Sequence, residues 1–140
     1  MSLNVSGFMG ITPLLSVFDM PEALAFYQGL LGFELVSASP AIETPEGKFS
    51  HWMWLRLGNA NLMLNTKYDA GERPLHRMEA DSAVHRDTCL YVGCTDVDAA
   101  YQQLAERGLK VDPPTTAPYG LRLFSARDPD GYLVVFQEAT

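Results

Sequence analysis

Two segments of the chain repeat the same order of apolar and polar positions. The first covers residues 14–32 and the second covers residues 90–108, and each begins with an apolar strand and ends at a glycine. An Asp follows each strand, at Asp19 and Asp96, and apolar side chains then recur at helical spacing. We interpret the repeat as an internal duplication of a strand-helix unit.

Each repeated segment is followed by stretches in which β-branched and aromatic residues predict strands. The predicted strands cover residues 33–38, 49–57 and 60–66 after the first helix, and 109–111, 121–126 and 132–137 after the second. Each half of the chain therefore reads β-α-β-β-β. We predict an α+β fold made of two such modules, each with a mixed sheet.

The modules and their connection have approximate boundaries in the sequence. We place module one at about residues 8–66 and module two at about residues 88–138, within a single domain of residues 1–140. The polar stretch 67–87 has no clear periodicity and forms a long inter-module loop. Loops of this length in compact domains are usually functional or disordered.

The last two predicted strands of module one divide their side chains between two faces. Gly58-Asn59 is a two-residue hairpin signal, which would pair Leu57 with Ala60. One face is then uniformly apolar and should cover the first helix; it consists of Met53, Leu55, Leu57, Leu62 and Leu64. The other face consists of Trp52, Trp54, Arg56, Asn61, Met63 and Asn65.

The second of these faces has the composition of a ligand pocket. It combines two large aromatic side chains with a methionine and several polar groups. The alternative is that the tryptophans pack against the other module or against a second subunit. Because a shift of one residue in register would exchange the two faces, the assignment depends on the Gly58-Asn59 turn.

Composition and charge restrict the partners. The formal net charge is −7, and this argues against nucleic acid and anionic membranes, whereas it leaves a cationic ligand electrostatically acceptable. No stretch has the length of a membrane span, and residues 1–10 do not have the pattern of a signal peptide. Cys89 and Cys94 are interpreted as reduced thiols. We therefore expect a cytoplasmic protein.

The sequence near the C-terminus completes the pattern of a known superfamily. Arg127-Asp128-Pro129-Asp130-Gly131 is a tight-turn sequence before an apolar strand. Together with Phe26-Tyr27, Leu31-Gly32-Phe33 and the duplicated modules, it makes nearly the whole chain resemble the vicinal oxygen chelate superfamily. That superfamily groups glyoxalase I, extradiol dioxygenases and bleomycin-resistance proteins. The resemblance implies that each sheet curls into a half-open barrel around a pocket.

The resemblance also identifies the positions at which enzymes of the superfamily hold a divalent metal. In this sequence those positions are occupied by Thr12, Met63, Cys89 and Val135. The superfamily places His, Gln or Glu there, and a threonine, a methionine and a valine do not replace them. We therefore expect no metal and no other cofactor, and the chain most resembles the metal-free bleomycin-resistance branch.

This branch implies a protein that binds a small aromatic or amphipathic molecule without metal, with antibiotic sequestration as one such function. Tyr119 could stack on a planar ligand, and Arg122 could pair with an anionic group or with a surface carboxylate. Pro13 matches a proline that, in the bleomycin-resistance proteins that the chain resembles, accompanies exchange of the N-terminal arm between subunits. The resemblance therefore implies a homodimer. The predicted ligand-binding residues are Trp52, Trp54, Met63, Asn65, Tyr119 and Arg122.

Two other classes of function remain open at this point. The first is an enzyme, either a metal-dependent lyase or dioxygenase with displaced ligands or a metal-free isomerase or lyase. His76 and His85 lie near Glu79 in the inter-module loop, but their spacing matches no compact metal motif, so they are better explained as solvated loop residues. The second is a structural or regulatory module without a small ligand. We assign no catalytic residue.

Overall fold

The computed structural model describes residues 2–139, which form strands, short helices and connecting segments. The strands are β1 (Leu14–Val17), β2 (Glu34–Ala38), β3 (Ile42–Thr44), β4 (Gly47–Phe49), β5 (Trp52–Leu57), β6 (Ala60–Thr66), β7 (Cys89–Cys94), β8 (Thr115–Thr116), β9 (Arg122–Arg127) and β10 (Leu133–Glu138). The helices are α1 (Met20–Leu24), which continues as a π-helical segment (Ala25–Leu30), α2 (Glu79–Ala83), which continues as a 3-10 turn (Val84–Asp87), and α3 (Val97–Glu106).

Each module contains one four-stranded sheet, and the two sheets have the same plan. The strand order is β1-β6-β5-β2 in module one and β7-β10-β9-β8 in module two. In both sheets the first strand of the module lies parallel to the last one, and the other neighbours are antiparallel. The sheets are therefore mixed and the helices few, which confirms the predicted α+β fold.

The predicted pairing of β5 with β6 is confirmed. Leu57 lies opposite Ala60, and Trp54 lies opposite Met63. The apolar face packs into the core, where Leu55 and Leu64 have no exposed surface. Burial of these leucines fixes the register, because a shift of one residue would turn them to solvent.

Two strand predictions were wrong in detail. Residues 109–111 do not form a strand, because Gly108 adopts a positive φ of 107° and the Leu109 amide returns to the Leu104 carbonyl at 3.0 Å, which closes α3. The strand predicted at 49–57 is divided, since β4 ends at Phe49 and β5 begins at Trp52. Phe49 pairs with Ile42 in the separate β3–β4 hairpin.

The two helices that follow β1 and β7 begin with aspartate caps. Asp19 accepts a hydrogen bond from the Glu22 amide at 3.2 Å, and Asp96 accepts one from the Ala99 amide at 3.0 Å. These bonds satisfy amides that lack partners within the first helical turn. Within residues 2–139 no helix has the length and apolarity needed to cross a bilayer.

An arginine joins the C-terminal ends of the two long helical segments. Arg107 follows α3 and donates hydrogen bonds to the carbonyl oxygens of Gln28, Gly29 and Leu30, at 2.8, 3.0 and 3.2 Å. These carbonyls lie at the end of the first helix, where peptide dipoles favour a cation. Arg107 therefore ties module two to module one on the helical side of the sheets.

The Asp-Pro-Asp-Gly turn lies buried between the modules. Asp128 and Asp130 are only 5% and 4% exposed. Asp128 accepts hydrogen bonds from the amides of Asp130 and Tyr132 at 2.9 Å, and from the Tyr27 hydroxyl at 2.6 Å. Asp130 accepts one from the Phe18 amide at 2.9 Å. A turn predicted from local sequence thus forms the polar centre of the module interface.

Residues 67–87, the stretch predicted as an inter-module loop and called the strap from here on, contain α2 and contact that turn. His85 stacks on Tyr132 with ring centroids 4.2 Å apart, and its Nδ1 lies 2.7 Å from the Asp130 carbonyl oxygen. The interpretation of His85 as a solvated loop residue was therefore wrong. Arg77 of the strap lies 3.2 Å from the Glu22 carboxylate at the start of α1, so the strap contacts both modules.

Candidate functional site

The side of sheet one that faces away from α1 carries the predicted aromatic and polar residues. We call it the module-one face; it consists of Leu14, Ser16, Trp52, Trp54, Arg56, Asn61, Met63 and Asn65. Trp52 lies opposite Asn65 across β5 and β6, and Trp54 lies opposite Met63. Both tryptophans are half-buried, whereas their neighbours in sequence, Met53 and Leu55, lie in the core. The register therefore brings together four of the six predicted ligand-binding residues.

Three side chains of this face hold each other in a fixed arrangement. The Asn61 Oδ1 accepts a hydrogen bond from the Trp54 Nε1 at 3.0 Å and another from the Arg56 Nε at 2.9 Å. The Arg56 guanidinium carbon lies 5.4 Å from the centroid of the Trp54 ring, within the range of a cation–π contact. The shared acceptor Asn61 thus orients the Trp54 indole and the Arg56 guanidinium side by side.

Sheet two presents a second face on the side away from α3. We call it the module-two face; it includes Cys89, Tyr91, Leu123, Ser125, Leu133, Val135 and Gln137. The Tyr119 hydroxyl donates a hydrogen bond to the Gln137 side chain, which places Tyr119 beside this face. Partial loss of hydration and the neighbouring Tyr91 hydroxyl raise the pKa of Tyr119. Tyr91 and Tyr119 are 59% and 60% exposed, so their rings are accessible.

Sequence reasoning missed Tyr91 and Gln137. Each is two positions along its strand from a residue that was singled out, Cys89 in one case and Val135 in the other. Alternate residues of a strand share a face, so the positions of Cys89 and Val135 were sufficient to predict that Tyr91 and Gln137 lie beside them. The contact of Tyr119 with Gln137 could not be found in this way, because it joins a loop to a strand 18 residues later.

Arg122, the remaining predicted ligand-binding residue, does not join either face. It lies on the side of β9 that faces α3, because it is two residues from the buried Phe124 on the same strand and therefore shares its face. Its Nε and Nη2 donate to the two carboxylate oxygens of Asp98 at 2.8 and 2.9 Å. The sequence left open whether Arg122 pairs with an anionic ligand group or with a surface carboxylate, and in the structure it pairs with the carboxylate of Asp98.

The four positions equivalent to superfamily metal ligands do not offer a suitable donor set. Val135 is a buried alkyl side chain, 3% exposed, on the floor of the module-two face, between Tyr91 and Ser125. Thr12 and Met63 supply a hydroxyl and a thioether, which are poor ligands for a hard or borderline divalent cation, and the single thiol of Cys89 does not make a metal site by itself. Among residues 2–139 no three His, Cys, Asp or Glu side chains cluster in a way that could hold a metal ion.

Grooves lie where the two modules meet. One has a volume of about 950 Å³ and is lined by the β5–β6 turn, β7 and α3. A smaller crevice of about 270 Å³ brings Asn61 of module one together with Cys89 and Tyr91 of module two, beside Ile11 and Pro13. Neither of these two grooves is lined by Trp52 or Trp54, which lie on an open surface of the single chain.

These features define a class: a two-module α+β protein with a duplicated mixed sheet and an aromatic, polar face on each sheet. The sequence profile of the Glyoxalase/Bleomycin resistance protein/Dioxygenase superfamily matches residues 10–136. The chain belongs to this superfamily, which confirms the resemblance found in its sequence. No curated protein sequence matches the chain.

Solved structures with the same fold include antibiotic-binding proteins. TioX from Micromonospora sp. ML1 is 22% identical with a TM-score of 0.68, over 93% of this chain and 98% of that one. The bleomycin-binding protein from bleomycin-producing Streptomyces verticillus, complexed with copper(II)-bleomycin, is 24% identical with a TM-score of 0.67, over 95% and 98%. TnmS3, an antibiotic binding protein from Streptomyces sp. CB03234, is 25% identical with a TM-score of 0.56, over 94% and 97%.

Proposed function

We propose that this protein binds a small aromatic or amphipathic molecule without metal, and that its biological role is to sequester an antibiotic. The observation that carries the proposal is the module-one face, where Trp52 and Trp54 are half-buried on an open sheet surface beside Asn61 and Met63. Aromatic side chains with a few fixed polar groups are typical of small-molecule sites. The bleomycin-binding and antibiotic-binding names of structures with this fold support the same class of ligand.

The binding unit in this proposal is a cytoplasmic homodimer. Residues 2–13 form an arm whose apolar side chains are exposed, including Met9 at 98% and Ile11 at 91%, and Leu14 and Tyr91 on the two faces are more than half exposed. Apolar surface of this extent on a soluble protein is typical of an interaction site. A second copy related by twofold symmetry would cover the arm and close the open faces into pockets.

Loss of aromatic surface tests the binding proposal. We expect W52L and W54L each to weaken binding of the flat dye N-phenyl-1-naphthylamine by roughly tenfold, because each removes a large contact area and a stacking surface. Y68L is the matched control, since Tyr68 lies on the strap, where its ring contacts Phe18 and its hydroxyl bonds to Asp81. Calorimetry or probe fluorescence measures the affinities.

The proposal fails if folded W52L and W54L proteins bind every ligand that the native protein binds with unchanged affinity. The competing function is a metal-dependent lyase or dioxygenase with displaced ligands, and no described arrangement of side chains favours it. Elemental analysis of protein purified without chelators tests it directly. Near-stoichiometric nickel, zinc, manganese or iron would contradict a metal-free site.

A further inference from the structure

Arg56 is an arginine on the module-one face without an acidic partner. Within residues 2–139 no carboxylate lies within ion-pair distance of its guanidinium, although Glu34 lies directly across from it on β2. Its Nε is bound to Asn61, and its plane lies near the Trp54 ring. The two terminal nitrogens of the guanidinium are therefore oriented but left to solvent.

This state distinguishes Arg56 from most other arginines of the chain. The ion-paired arginines are Arg73, Arg77, Arg86 and Arg122. Arg107 and Arg127 each donate from a terminal nitrogen to backbone carbonyl oxygens, Arg127 to that of Gly131 at 2.6 Å. An arginine fixed by a neutral acceptor retains its full charge and its paired donors for a planar anion such as a carboxylate or sulfonate.

The acidic residues of the chain lie mostly away from the two faces. The strand positions of the module-two face contain no Asp or Glu, and the residues that define the module-one face contain none either. Glu34, on the edge strand β2 opposite Arg56, borders the module-one face. The net charge of −7 therefore does not describe the surface that a ligand would meet. The net charge therefore does not decide the charge of the ligand.

We propose that the site selects a flat aromatic ligand that carries a negatively charged group, with the anion bound by Arg56 and the aromatic part in contact with the tryptophans. This inference rests on the proposed binding function and adds the charge of the ligand to it. Asn61 acts as a positioning residue, since its single oxygen holds both Trp54 and Arg56 in place.

A pair of probes with the same ring system tests the charge preference. The anionic probe is 8-anilinonaphthalene-1-sulfonate, and the neutral probe is N-phenyl-1-naphthylamine, which lacks the sulfonate. We expect R56Q to weaken the anionic probe by about three- to tenfold and to leave the neutral probe within about twofold. R56K should restore part of the loss, because it keeps the charge without the planar donors.

Two further measurements exclude a general effect of charge. R86Q removes a positive charge from the strap and should not alter either affinity, whereas E34Q should strengthen the anionic probe alone. Raising the salt concentration from about 0.05 to 0.5 M should weaken the sulfonate and not the neutral dye, as expected for a screened surface charge.

The outcomes separate the two proposals. If neither probe binds in a saturable way, or if both bind independently of the tryptophans, the binding function itself fails. If both probes bind through the tryptophans but R56Q weakens them equally, or leaves the sulfonate unchanged, the binding function stands and the preference for an anion is overturned.

Discussion

The hydrogen bond between Tyr27 and Asp128 gives a quantitative prediction about the module interface. The Tyr27 hydroxyl donates to the Asp128 Oδ2 at 2.6 Å, and both side chains are buried. Burial, and then the adjacent Asp128 carboxyl, raises the pKa of Tyr27, so this hydroxyl remains a donor. Burial also raises the pKa of Asp128, and the bond from Tyr27 opposes that rise because it favours the ionised form.

The perturbation is Y27F, which removes one oxygen from the interior and leaves the ring in place. A hydrogen bond to a charged acceptor contributes about 1.5–3 kcal/mol, and one to a neutral acceptor about 0.5–1.5 kcal/mol. We therefore expect Y27F to lower the free energy of unfolding by about 2 kcal/mol when Asp128 is ionised. The cost should fall to about 1 kcal/mol when Asp128 is protonated.

The pH dependence of this cost has a definite sign. Because the pKa of folded Asp128 is raised, its contribution to stability is present in full below the unfolded pKa of about 3.9 and is lost as pH rises through the folded pKa. Removing the Tyr27 hydroxyl raises that pKa further. The destabilisation by Y27F should therefore grow from acid to neutral pH.

Urea unfolding of the native protein and Y27F between pH 4.5 and 8 measures this difference. The matched control is Y101F, since Tyr101 donates to a neutral backbone carbonyl, that of Val111, at 3.1 Å. Its cost should be about 1 kcal/mol and independent of pH. The reasoning is refuted if Y27F costs as much in acid as at neutral pH, or if Y101F shows the same slope.

Two further predictions concern the joints between modules. R107A should lower Tm by about 3 °C, because three carbonyls at the end of the first helix lose their donor, whereas R86A should change Tm by less than about 1 °C in the same thermal scan. G131A should cost more than about 2 kcal/mol in urea unfolding, since Gly131 has a φ of 96° and a Cβ there would lie 2.6 Å from the Ser82 carbonyl oxygen. In G58A, where φ is 58° and no atom lies within 4 Å, only the backbone cost of about 1 kcal/mol is expected; equal losses in both variants would contradict the close approach of the strap.

The fold was predictable where local chemistry and long-range pairing agree. Gly58-Asn59 specifies a tight turn, and the alternation on either side of it allows one register that buries Leu55 and Leu64. The same constraint placed Trp54 and Met63 on one face without any knowledge of the tertiary structure. Asp19 was predictable as a helix cap from local sequence, since the amide that donates to it belongs to Glu22, only three residues later.

The strap was not predictable, because its order depends on residues distant in sequence. His85 is positioned by stacking on Tyr132 and by the carbonyl of a residue 45 positions away, and the sequence of residues 67–87 contains no pattern that indicates either contact.

For Arg122 the residue type was misleading. Its residue type suits an anionic ligand, but the strand period places it on the α3 side, where Asp98 binds it.

The contrast between Arg122 and Arg56 explains why residue type alone could not define the site. Both are strand arginines near an acidic residue, yet Arg122 is bound by Asp98 through two hydrogen bonds, whereas Arg56 turns from Glu34 toward Asn61. A carboxylate partner cancels the charge of an arginine and occupies its donors, whereas an amide acceptor orients the guanidinium and leaves its charge in place. The side chain available for recognition is therefore the one that a neutral neighbour holds in place, and only the three-dimensional arrangement distinguishes the two.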